Sequence, residues 1–341
     1  MLRTCSLSTK IVVGFGLVIA IAGALGIAGR MSLNSVRTNL ELDQKGASCL
    51  DQLNSCAAFR REFAAKGFKK TADENKNAAE KWQEAYDELL RRLAALQREE
   101  GLADSDRGLV DVAVKQAEQY HAVFARQATG RQAKDEAVAI WTKAGWGITE
   151  GISKATEATI APAVSAAQTS GKTEDITRWA QISGKLNQDV IQQFLLLRVT
   201  AVYLIAANTD EKWADYQKQL AAVHQGLDRW GETVKAESSL VSLAADVKRF
   251  LAEYEAAGGK YHEGILAERA ADVEMTAAAK AIVDTVQQLR GSLSQEAARV
   301  AVRGNRLMIS LPCGAVVLGV ILSLITTRSI VRPFRQIFRG L

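Results

Sequence analysis

Three arginines stand where helical spacing surrounds a permanent cation with apolar neighbours. Residues three and four positions apart share a helix face. On that rule Arg198 meets Phe194, Leu195, Ala201 and Val202, Arg61 meets Ala57, Ala58, Ala64 and Ala65, and Arg60 meets Cys56, Ala57, Phe63 and Ala64. Arg198 has no carboxylate in local reach. A guanidinium set in an apolar face is costly unless an anionic, hydrogen-bonding group meets it. That group is a carboxylate from another helix or an anion from solution, unless the long side chain snorkels to water. Arginine's planar fork fits a carboxylate, so the chemistry on offer is capture of a small organic acid. Tyr120, Tyr254, Tyr203, Trp141 and Trp146 are candidates for hydroxyls or walls around such a ligand, and equally for ordinary bundle packing.

Other chemistries find little support. His121, His224 and His262 are isolated, and no GxSxG, HExxH or phosphate-cradling glycine loop occurs, so no enzyme activity is expected. Cysteines at 5, 49, 56 and 313 form no CxxC pair and have no histidine at zinc spacing, so neither a metal site nor a disulfide framework is expected, and no cofactor. Cys49 and Cys56, seven residues apart, stand roughly 10 Å apart along a helix, too far to bridge each other. They either fill a helix interface or link two subunits. The formal charge of +5 hints at nucleic acid, but Arg3, Lys10, Arg328, Arg332, Arg335 and Arg339 lie outside the two most apolar runs. Without those six the balance is 37 basic against 38 acidic residues, and a nucleic-acid function is not expected.

The elements that must position the arginines are helices. Pro162 is the only proline between Arg30 and Leu311, which lets helices run long. The chain repeats itself: Arg61 with Asp73-Glu74 matches Arg198 with Asp210-Glu211, and Leu109 to Tyr120 matches Leu243 to Tyr254. Polar clusters at Thr71–Glu74, Gly101–Asp106, Thr169–Glu174, Asn208–Asp210 and Glu237–Ser239 divide the helices. Two segments, 105–168 and 238–306, are too long for one compact bundle. The spacing therefore predicts an all-α fold of two stacked four-helix bundles sharing those two helices, with 31–102 completing one module and 173–237 the other. Leu186, Val190, Phe194, Leu197, Ala201 and Leu204 step by four and three, as a bundle seam does.

Residues 11–29 and 307–327 are uncharged and long enough to cross a bilayer, so they are expected to flank the helical domain (30–306) as transmembrane helices. The outer flanks, 1–10 and 328–341, carry only basic charges, which places both in the cytoplasm and the domain between them outside. In a bacterium with two membranes that is the periplasm, with the anchors in the inner membrane. Val190 to Asn208 is a third apolar run, but Arg198 at its centre and Gln192 and Gln193 near its start favour a buried helix of the outer domain.

The opening LSTKIVVGFGLVIAI, the paired FRREFAAKGFKKTADE and FLLLRVTAVYLIAANTDE, and the tail RSIVRPFRQIF together resemble methyl-accepting chemotaxis receptors with a helical bimodular sensing domain, a type also found on some sensor kinases. The tail looks like the start of a HAMP linker. The resemblance implies a homodimeric receptor for small carboxylates that drives a downstream signalling domain by helix displacement. On these residues the ligand-binding set is Arg60, Arg61, Arg198, Tyr203, Tyr120 and Tyr254. A sensor histidine kinase input domain, or a membrane-tethered helical spacer without ligand, is the alternative.

Overall fold

A computed structural model describes residues 7–337, and every element among them is helical. The expected cytoplasmic N-terminus (1–10) and HAMP start (328–341) lie partly outside the described residues. Helix α1 is Leu7–Lys66, α2 Ala78–Gln97 and α3 Asp104–Ala155. A π-helical segment, Thr156–Ile160, joins α3 to α4 (Ala161–Ser170). Helix α5 (Thr173–Lys185) passes through a second π segment, Leu186–Ile191, into α6 (Gln192–Ala207). Helices α7 (Asp210–Thr233) and α8 (Ser238–Ile337) complete the chain.

The helix ends follow from local chemistry. Gly67 (φ 61°) and Gly171 (φ 67°) take the left-handed conformation just beyond α1 and α4, and Asn208 (φ 51°) does the same after α6. Asn77 starts α2 with a capping box: its side chain accepts from the Glu80 amide (2.9 Å), and its own amide donates to the Glu80 carboxylate (2.7 Å). Thr209 caps α7 by accepting from the Lys212 amide. Pro162 explains the first π segment. It has no N–H to give the carbonyl of residue 158, and the backbone widens by one residue instead of breaking.

Two compact units result. The first comprises residues 1–120 and 277–341, the second 121–276. In the first, Leu42, Leu96, Leu102, Val110, Leu289 and Leu293 form a buried cluster drawn from α1, the end of α2 and the loop after it, α3 and α8. Cys49 and Cys56 are buried there, and burial pushes their thiols up to about 11 and about 12. Both behave as core filler; a link between subunits needs an accessible thiol.

In the second unit the core takes Trp141 and Ile148 from α3, Ile182 from α5, Phe194 and Leu197 from α6, Leu227 and Trp230 from α7, and Leu251 and Tyr254 from α8. The second π segment turns its backbone toward α7. A Cβ on Gly226 would lie 1.9 Å from the Asp189 carbonyl oxygen, so glycine alone permits this approach. The Asp189 side chain also accepts from Arg229 at 3.0 Å.

Three stretches among the described residues, within α1, within Thr173–Ala207 and within α8, are long and apolar enough to cross a membrane, consistent with membrane association. They differ in burial: 28% of the apolar window ending in α6 is buried, against 6% in each of the others. Helix α6 was expected to be buried and is only half so. Phe194, Leu197, Ala201 and Leu204 face the core, whereas Leu195, Leu196, Val199 and Val202 are exposed.

Candidate ligand site around Arg198

Arg198 does not sink into the core. Its two inward neighbours, Phe194 and Ala201, are buried, while Leu195, Val202 and Arg198 itself are exposed. The desolvation cost expected from sequence is therefore small, because the side chain reaches water. What sets it apart is its lack of a counter-charge. In the same unit Arg126 pairs with Glu274, Arg131 with Asp135, Arg178 with Glu237, Arg229 with Asp189, Arg249 with Glu253 and Arg269 with Asp210. Among the described residues Arg198 has no ion pair or hydrogen bond of its own.

Two hollows open on either side of it. One, of about 320 Å³, lies between the Thr149, Ile152, Ser153, Thr156 and Glu157 face of α3 with its π extension and, opposite, Ile191 of the second π segment with Phe194, Leu195 and Arg198 of α6. The other, of about 150 Å³, is bounded by Arg198, Ala201, Val202 and Ile205 opposite Val138, Trp141, Thr142, Gly145 and Trp146, with Tyr254 also contributing. Both π segments supply residues to the larger hollow: Thr156 and Glu157 from the first, Ile191 from the second. Such one-residue widenings recur at functional sites.

Behind the smaller hollow the aromatic residues are locked. Trp141 Nε1 donates to the Tyr254 carbonyl oxygen at 2.8 Å, and Tyr216 Oη donates to the same oxygen at 3.1 Å. Phe194 meets the Tyr254 ring edge-on, with centroids 5.7 Å apart. Gly258 makes room for Tyr216, whose hydroxyl oxygen would lie 2.5 Å from a Cβ there. Burial pushes the Tyr254 phenol up to about 12, and Arg198 pulls in the opposite direction, so cation and phenol sense each other.

The first unit repeats the pairing. Arg60 is half-buried and pulls down on Tyr120, whose phenol burial raises to about 12. Trp82 lies beside that ring, 5.6 Å between centroids. The structure thus joins Arg60 with Tyr120 and Arg198 with Tyr254. It does not join the rest: Arg61 is exposed, and Tyr203, 58% exposed, lines neither hollow beside Arg198. Trp146 is an exposed wall of the smaller hollow, and Trp141 a buried one.

Sequence reasoning missed Thr149, Ser153, Thr156 and Glu157. Their spacing by four, three and one marks one helix face, but a polar stripe on a helix reads as a solvated surface until an apolar helix is laid against it.

The buried phenols carry a pH prediction. Tyr86, Tyr120, Tyr254 and Tyr261 are all raised to about 12 by burial, from an ordinary value near 10. The unfolded chain loses these protons first, so stability is fully present below pH ~10 and declines as pH rises from about 10 to 12. Denaturant titrations at stepped pH are expected to show that decline together with late phenolate absorbance. Constant stability across the interval would contradict it.

No protein-family model matches the chain, and no curated protein matches it. The functional reading therefore rests on the residues just described.

Proposed function

We propose that the chain is the sensing part of a membrane receptor for small organic acids, of the chemotaxis type, which passes ligand binding to a cytoplasmic signalling domain as a helix displacement. The observation that carries this reading is Arg198: a cation without a protein counter-charge among the described residues, flanked by two hollows and backed by a rigid aromatic cluster. A carboxylate there gains a bidentate partner without breaking any existing pair. Because the site is open, affinity in the micromolar to millimolar range suits it better than tight binding.

In this reading the early part of α1 and the late part of α8 cross the inner membrane, and the domain between them faces the periplasm. The greater burial of α6 supports its place in the bundle rather than in lipid. Helix α8 runs unbroken from Ser238 to Ile337, which supports transmission: it carries Tyr254 at the ligand site and continues through the apolar stretch. Shifts of about 1 to 2 Å between packed helices are an established switching mode. The receptor works as a homodimer, and Arg60 with Tyr120 forms the equivalent site of the first unit.

Thermal-shift screening of the full chain in nanodiscs against a panel of short carboxylates tests this. Stabilisation by some members, and loss of at least one such response in Arg198→Ala with unchanged unliganded melting, is expected. No response to any acid would sink the reading.

A further inference from the structure

The larger hollow has two chemically different ends. Arg198 is its hydrogen-bond donor and its only positive charge among the described residues; everything polar on the opposite wall accepts. Thr149 and Thr156 have already given their hydroxyl protons to the carbonyls of Gly145 (2.9 Å) and Ile152 (2.8 Å), leaving oxygen lone pairs. Ser153 donates to the Glu157 carboxylate at 3.0 Å. Glu157 has no ion pair among the described residues, although Lys154 lies close by in sequence; that lysine is held by Glu150 at 2.6 Å. The two charges are also separated. Thr149 and Glu157 stand eight residues apart on one wall, about 12 Å of helix axis. Ile191 and Arg198 span a similar length on the other wall, which crosses in the opposite chain direction after the turn at Gly171. Between the charges the lining is apolar: Ile152, Phe194 and Leu195.

We infer that this hollow selects a dipolar ligand: a short, unbranched acid whose carboxylate meets Arg198 and whose far end is a protonated amine received by Glu157 and the hydroxyl oxygens. This rests on the carboxylate reading above and narrows it. A plain monocarboxylate leaves Glu157 unanswered, which costs little because Glu157 is exposed to solvent. A dicarboxylate of the same length brings a second negative charge against Glu157 and is disfavoured. Glu157 is thus a specificity residue, and Arg198 the common anchor.

The test is calorimetric titration of the full chain in nanodiscs with pentanoate, with the ω-amino acid of the same length, and with glutarate. Wild type is expected to prefer the amino acid over pentanoate, with glutarate weakest, each step about 3- to 10-fold, the size fitting exposed charges. In Glu157→Gln the amino acid should lose that advantage and glutarate should gain by a similar factor, while pentanoate stays within about twofold. If all three acids bind through Arg198 but their order is the same in Glu157→Gln, the dipolar selection is overturned and the carboxylate site stands. If none binds wild type, both are overturned. Ser153→Ala provides a check on packing: it removes the hydrogen bond holding Glu157 without altering charge, and is expected to weaken the preference without reversing it.

Discussion

Gly226→Ala is expected to unfold the second unit at ordinary temperatures or lower its melting point by roughly 10 °C or more. The new Cβ would lie 1.9 Å from the carbonyl oxygen of Asp189 and 2.9 Å from its carbonyl carbon. Both atoms belong to the backbone, so no rotamer change relieves the clash; α7 must move away from the second π segment. Overpacking a well-packed core costs about 1–3 kcal/mol even where side chains can adjust, and here the separation also opens the seam that Leu227 and Trp230 fill. In a unit of this size each kcal/mol is worth about 2–4 °C. Circular dichroism melting of the full chain measures it, and a drop below about 2 °C would show that α7 and the π segment are not this close. Gly231→Ala on the same helix meets nothing within 4 Å and should raise the melting point slightly, as losing a mid-helix glycine does, which separates the clash from the general effect of that change.

A second large effect is expected from Glu268→Ala. Lys134 is almost wholly buried, 6% exposed, and its ammonium donates to Glu268 at 2.8 Å while lying 5.3 Å from the centre of the Tyr261 ring. Removing the carboxylate leaves, among the described residues, a buried cation beside that ring, and breaking such a pair costs about 3–5 kcal/mol. Replacing both partners by apolar residues of similar size, Lys134→Met with Glu268→Leu, should recover most of the loss, because neither charge then needs solvation. Denaturant unfolding of the two single variants and the double variant gives the coupling. A single-variant loss under about 1 kcal/mol would mean that Lys134 reaches water.

These two sites also mark how far the sequence could be read. The all-α fold was legible because proline is nearly absent and the apolar steps of three and four persist. The helix breaks at Gly67, Gly171 and Asn208 lie in or beside polar clusters that stand out in the sequence. The π segments were not legible. Pro162 was a visible signal for the first, but nothing local at Leu186–Ile191 announces the second, whose Asp189 packs on Gly226, distant in the chain and adjacent in space. Arg198 was found by its neighbours, yet helical periodicity cannot distinguish a sunken side chain from one emerging at the edge of an apolar face. The repeat foreshadowed the match of Tyr120 with Tyr254, but it aligned Arg61 with Arg198, whereas the arginine that acts on Tyr120 is its neighbour Arg60. Tyr203 stands five residues from Arg198, a step that turns it to another face of the helix, out of both hollows.

The lone guanidinium on α6 is where the account is most exposed. Titrating pentanoate into the full chain, wild type against Arg198→Ala, measures its role directly. A saturable heat in wild type that weakens at least tenfold in Arg198→Ala is the result expected; equal affinity in the two proteins would mean that the acid is held elsewhere, or not recognised by its charge at all.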